Sequence, residues 1–152
     1  MTQDPFTRDE AIVNRSRTYV NLATVYFQTG DNGRARELLN LAWRDRSSVM
    51  ESDDAQLISV KELFADLELN AGNLEKAQAL MADYVNASER KFGANSEECI
   101  RASSKLGEVM ARQGRYAQAD SLFSASIAAG KRTLVEATDA ILARTLQSRA
   151  IA

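Results

Sequence analysis

Gly114 and Ala119 recur upstream as Gly30 with Ala35 and as Gly72 with Ala77, and the three glycines lie 42 residues apart. Self-similarity at such a period marks stacked supersecondary units, none of which can bury its apolar face alone. In each copy the glycine follows one run of apolar residues at helical spacing and precedes another. A glycine able to turn left-handed is what a helix C-terminus calls for. Each copy therefore reads as helix, tight turn, helix.

Taken in order, Thr7 and Glu10 fit a capping box for a first helix running to about Thr29. Tyr19, Leu22, Ala23, Tyr26 and Phe27 form its apolar face. Asp31 or Asn32 caps a second helix to about Met50, with Ala35, Leu38, Leu39, Ala42 and Trp43 inward. Arg34, Arg36, Glu37, Arg44, Asp45 and Arg46 are assigned to its solvated side. Ser52 and Asp53 cap the third helix, which carries Leu57, Ile58, Phe64, Ala65 and Leu67 to about Ala71. After Gly72 and Asn73 a fourth helix runs to Phe92, with Leu74, Ala77, Leu80, Met81, Tyr84 and Val85 inward. Gly93 ends it, and Asn95 or Ser96 starts a fifth, to Gln113. The sixth buries Tyr116, Ala119, Leu122, Phe123 and Ile127. Gly130 interrupts good helix formers at a cost of about 1 kcal/mol. A separate helix is expected from about Thr138 to Ala150.

Laid in register, Leu22, Phe64 and Leu106 coincide, as do Ala23, Ala65 and Gly107. Leu39, Met81 and Phe123 coincide, and so do Trp43, Val85 and Ile127. Small residues let the helices of a hairpin approach closely, because interaxial distance follows the side chains at the contact. Ile141 and Leu142 share register with Leu57–Ile58 and Cys99–Ile100, so the terminal segment matches the first helix of a fourth unit. The expected fold is all-α: a right-handed α-solenoid of three antiparallel helix hairpins plus a C-terminal capping helix. Residues 1–7 are set aside as an N-terminal extension resembling a vector-derived junction. Residues 8–152 form one array, with units at about 16–51, 58–93 and 100–135 and the capping helix at about 138–150.

Composition narrows the chemistry. Apolar residues make up 45% and charged residues 26%, the balance of a globular chain. There is no histidine, which removes imidazole bases and His-based metal sites. The single cysteine, Cys99, shares register with Leu57 and Ile141 and is expected to be a packed hydrophobe. Glu97–Glu98 and Asp53–Asp54 sit at helix starts, where negative charge suits the helix dipole. No catalytic residue, metal ligand or cofactor is assigned, and an enzyme is not expected. A net charge of −2 gives no bulk attraction to nucleic acid or anionic membrane. The basic run Arg34, Arg36, Arg44 and Arg46 is interleaved with Glu37 and Asp45 and reads as a solvated face. No run approaches the roughly 18 apolar residues of a membrane span. With no oxidising compartment needed for one cysteine, the cytoplasm is the expected location.

These positions resemble the tetratricopeptide repeat. Leu106-Gly107, Gly114-Arg115-Tyr116, Ala119 and Phe123 match its pattern best. Phe64-Ala65, Gly72, Leu74, Ala77 and Met81 form the second match, and Leu22-Ala23, Tyr26, Gly30, Ala35 and Leu39 the first. The 42-residue period, longer than the family's usual 34, looks like the kinesin light chain type. The chain departs from the pattern where Tyr19, Lys61 and Ser103 replace a frequent Trp, and where the closing Pro is absent.

The resemblance implies a scaffold that binds a peptide or partner domain in a concave groove lined by the first helix of each hairpin. By family register the groove positions are Arg17, Asn21, Thr24 and Gln28, then Ser59, Glu62, Asp66 and Asn70, then Arg101, Lys105, Glu108 and Arg112. The last set, with three bases, suits a partner with acidic groups or a free carboxylate. The carboxylate clamp of chaperone-binding members is not matched, since Val20 and Thr24 stand where Lys and Asn would be needed. Two alternatives stay open: self-association through the end hairpins, using Ile141, Leu142, Leu146 and Ile151, and a sensor or docking segment of a larger bacterial regulator.

Overall fold

A computed structural model describes residues 5–51 and 54–151; for 5–7, 137, 141–142 and 144–151 it describes the backbone alone. The chain forms α1 (Pro5–Gln28), α2 (Asn32–Ser47), α3 (Ala55–Asn70), α4 (Leu74–Phe92), α5 (Glu97–Arg112) and α6 (Tyr116–Ile151). Consecutive helices pack on one another all the way along, and α1 also touches α3. This is the all-α solenoid of three hairpins expected from the repeat.

The three hairpin turns are built alike. Gly30, Gly72 and Gly114 have φ of 84°, 78° and 78°. Beyond each glycine an amide reaches back to a carbonyl of the preceding turn: Asp31 to Tyr26 at 2.9 Å, Asn73 to Glu68 at 2.9 Å, Arg115 to Met110 at 2.9 Å. These bonds satisfy carbonyls that a helix end would otherwise leave unpaired. Asp31 caps α2 by accepting from the Arg34 amide, and Ser96 caps α5 by accepting from the Cys99 amide.

Several expectations about helix ends are corrected. α1 already begins at Pro5, so Thr7 lies inside its first turn and does not cap it; proline tolerates that position because its missing N–H would have no partner there. α2 stops at Ser47, three residues before Met50. Ser52 and Asp53 lie outside the described residues, and α3 is capped by Asp54, which accepts from the Gln56 amide at 2.7 Å. The segment 138–150 is helical, but it continues α6 and is not a separate helix. No proline and no turn sequence falls between Lys131 and Thr138. A lone Gly130 costs less than breaking and recapping the helix.

The core follows the register. Ala23, Ala35, Leu39, Val60 and Leu67 form one buried cluster where the first hairpin meets α3, flanked by Trp43 and Phe64. Ile58, Ala65, Met81, Tyr84, Ala87 and Ala102 form the next, and Leu69, Ala77 and Val109 a third. Cys99 is buried, as a packed hydrophobe would be. Leu22, Tyr116, Phe123 and Ile127 do not follow the expectation: all four are exposed. Their counterparts in neighbouring units are covered by an adjoining hairpin, whereas among the described residues no hairpin covers these four.

Asp45 and Arg46 are also corrected. Both are buried, not on a solvated face. Arg15 grips Asp45 through two bonds of 2.7 and 3.0 Å. Arg46 donates to the Ser16 hydroxyl at 3.0 Å and to the Gln56 carbonyl at 2.6 Å, so one side chain ties α1, α2 and α3 together. Burial is the main influence lowering the Arg46 pKa, and among the described residues no carboxylate is hydrogen-bonded to it. Glu68 is a third buried charge. Its oxygens accept from Arg36 and from the Asn73 amide, and the Arg36 bond, with burial opposing, holds its carboxyl below the usual range.

At Gly107 an added Cβ would stand 2.9 Å from the Phe123 ring. The other units pair Ala23 with Leu39 and Ala65 with Met81. Phe123 lies over glycine, whereas Met81 lies over alanine. Gly107→Ala should gain about 1 kcal/mol of helix propensity and lose at least that much to overpacking. In a Phe123→Met background the clash disappears. Urea unfolding of the four proteins should give a coupling of about 1 kcal/mol in favour of the double substitution; additive effects would show that the ring does not set the spacing.

Candidate partner-binding groove

Helices α1, α3 and α5 are the first helices of their hairpins, and side chains join α5 to α3 along one side. Lys105 of α5 reaches Glu62 at 2.9 Å and Asp66 at 2.6 Å, both on α3. Arg101 lies 3.4 Å from Glu62, and Arg112 donates to the Leu69 carbonyl at 3.4 Å. These contacts place the second and third groups of expected groove residues on one continuous surface. The first group lies on the neighbouring α1, where Arg17, Asn21 and Gln28 are exposed and Thr24 bonds its own helix at Val20. Ser59 likewise bonds the Gln56 carbonyl, and Asn70 is exposed.

The bases of α5 are not equivalent. Arg101 and Arg112 are about half exposed, and each has one carboxylate in reach, Glu62 and Glu108 respectively. Lys105 is only a quarter exposed and has two. Burial is the largest single influence on its ammonium and pulls the pKa down, but the combined bonds to Asp66 and Glu62 outweigh it and hold the pKa above the ordinary value. Burial pushes the Asp66 carboxyl up, with Lys105 restraining it. Tyr84 joins from α4, its hydroxyl donating to Glu62 at 3.1 Å and accepting from Arg101 at 3.4 Å. Burial raises the Tyr84 phenol pKa, so it stays a neutral donor. Family register had placed Glu62, Arg101 and Lys105 in the groove without showing that they bond one another, and it missed Tyr84, read only as core.

Other candidate chemistry is thin. Burial pushes the Cys99 thiol up and Glu89 adds to this, the reverse of a reactive cysteine. Among the described residues no three His, Cys, Asp or Glu side chains are placed to hold a metal ion. No described helix is long and apolar enough to cross a membrane. A depression of about 350 Å³ lies between α2 and α4 over α3, lined by Asn40, Trp43, Lys61, Phe64, Leu80 and Asp83. Lys61 spans it, 2.5 Å from Asp83 and 5.8 Å from the centre of the Trp43 ring. A smaller one of about 190 Å³ recurs a period later at Ser103, Leu122 and Ala125. The first is a gap between successive second helices, and the second is lined by α5, α6 and the turn before α5.

Comparison with known proteins agrees with this geometry. Residues 56–132 match a tetratricopeptide repeat model, and residues 16–40 match a second model of the same description. The chain belongs to the tetratricopeptide repeat family. Among similar solved structures is a crystal structure of nearly identical TPR-like repeats from a Podosopora anserina kinesin light chain candidate. It superposes with a TM-score of 0.69 at 17% identity, over 80% of this chain and 57% of that one. At that identity the likeness is one of fold. No curated protein matches the sequence.

The Lys105 network has a testable electrostatic consequence. Lys105→Met would leave Glu62 and Asp66 facing each other without their shared cation, at a cost of about 1–3 kcal/mol at pH 7. Because the folded protein raises the Lys105 pKa, its contribution is complete below the unfolded value of about 10.5 and is lost as pH rises through the folded one. The gap in denaturation midpoint between wild type and Lys105→Met should therefore be widest near neutrality and narrow above about pH 10.5. A gap unchanged across that range would mean the ammonium charge plays no part.

Proposed function

We propose that this chain is a non-enzymatic scaffold, with the cytoplasm as its compartment, whose groove along α1, α3 and α5 takes an extended peptide or a strand-like segment of a partner protein. The family and fold support a protein-binding role in general terms. The observation that carries the more specific reading is the row of exposed polar side chains along three adjacent first helices, braced from beneath by the Lys105–Glu62–Asp66 contacts. Amide side chains at Asn21, Gln28 and Asn70 suit peptide backbone groups, which have both donors and acceptors to satisfy. Acidic groups on the partner would exchange with Glu62 and Glu108 at Arg101 and Arg112, the half-exposed bases. Lys105, held by two carboxylates, stays structural. The 42-residue period supports assignment to the kinesin light chain type of repeat.

The test compares two surface variants by affinity capture and mass spectrometry. One replaces Asn21, Asn70, Arg101 and Arg112 with alanine; the other replaces Glu37 and Arg44, which are exposed on α2. Loss of captured peptides or proteins by the first variant only, with unchanged helicity in both, is the expected result. Equal capture by both would place the binding surface elsewhere.

A further inference from the structure

The two ends of the array carry the two halves of an interface that the chain already makes twice inside itself. Within the array, the first helix of one unit packs on the second helix of the unit before: α3 on α2, and α5 on α4. From the incoming helix, Leu67 and Val109 are fully buried in these contacts; on the receiving helix, Leu39 and Met81 are. One period away, the incoming position is Val25 on α1, 53% exposed. The receiving positions are Phe123 and Ile127 on α6, 37% and 59% exposed.

The match extends beyond single residues. Thr18, Leu22 and Val25 of α1 stand in register with Ala102, Leu106 and Val109, by which α5 meets α4: small, leucine, valine. Phe123 and Ile127 stand where Met81 and Val85 receive it. The polar contacts carry over as well. Arg36 bonds Glu68 across the first interface, and Gln113 donates to Gln78 at 2.9 Å across the second. The corresponding α6 residue is Asp120, and the corresponding α1 residues are Tyr26 and Thr29; the Asp120 carboxylate would meet the Tyr26 hydroxyl as donor, the Thr29 hydroxyl being bonded to its own helix. Length fits too. α1 starts at Pro5, earlier than the counterpart of Ala55, and α6 runs past the counterparts of Ser47 and Phe92. In the antiparallel register these two extensions would lie side by side, with the exposed Leu134 and Val135 toward the N-terminal half of α1.

We propose that α6 of one copy receives α1 of a second copy, so that the array continues head to tail between chains. The surface is separate from the groove and does not depend on what the groove binds. Because each copy uses a different face, the contact is heterologous and can extend beyond a dimer unless a ring closes it.

The test uses Val25→Glu, which spoils the incoming face, and Ile127→Glu, which spoils the receiving face. Both positions are solvent-exposed in the single chain, so folding should survive, with far-UV circular dichroism as the check. Sedimentation velocity over a concentration series should show wild type growing past dimer with concentration and each variant remaining monomeric. An equimolar mixture of the two variants should form a dimer and nothing larger, since one intact face of each kind remains. A wild type that stays monomeric throughout overturns the proposal and leaves the end faces to a different protein. So does either variant still self-associating alone, which would mean like faces pair with like.

Discussion

The array depends on how closely two helical backbones approach within each hairpin. Ala23, Ala65 and Gly107 on the first helices, and Ala35, Ala77 and Ala119 on the second, are all buried. At those points the helices meet with almost no side chain between them, and the bulky residues one turn away close over the contact. This spacing sets where the next hairpin can sit. With the left-handed glycine at each turn, it gives all three units one backbone geometry. Stacking then needs each receiving helix to offer the same surface to each incoming one, and the register of Leu39, Met81 and Phe123 provides it.

That much was legible in the sequence because it is periodic. Glycines at a fixed interval locate the turns, and small residues in register locate the close contacts, whatever the remaining positions hold. Asp45 and Arg46 were misread for the complementary reason. Their counterparts are Ala87 with Ser88 and Ala129 with Gly130, so the repeat carries no trace of a charged interaction there. Arg46 is buried because α3 begins beside it and offers the Gln56 carbonyl, a contact of the first unit alone. The exposure of Phe123 and Ile127 was hidden in the same way. Register says what a position contacts when a neighbour is present and cannot say which unit has no neighbour.

The groove was half legible. Family register assigns α1, α3 and α5 to one side, and the cross-helix bonds of Lys105 to Asp66 and of Arg101 to Glu62 join α5 to α3. Glu108 lies three residues from Lys105 on the same helix, but the carboxylates that Lys105 meets are on α3. Lys105 bonds Asp66, 39 residues earlier, because antecedent first helices lie alongside each other in space. Tyr84 enters the same network from a core position: its ring packs with Met81 and Ala102 while its hydroxyl reaches Glu62.

Apolar register alone would let any unit stack on any other, since Leu67 and Val109 occupy equivalent seats. The polar contacts differ from one junction to the next. The first uses Arg36 with Glu68 and Arg46 with the Gln56 carbonyl; the second uses Gln78 with Gln113. If the third unit docked on the first, Glu68 would be replaced by Met110 and Arg36 would lose its carboxylate. If α3 followed α4, the buried Glu68 would meet Gln78 in place of a cation. Leaving a buried charge without its partner costs far more than exchanging one apolar contact for another. The order of the units is thus held by the few positions at which the repeat is broken.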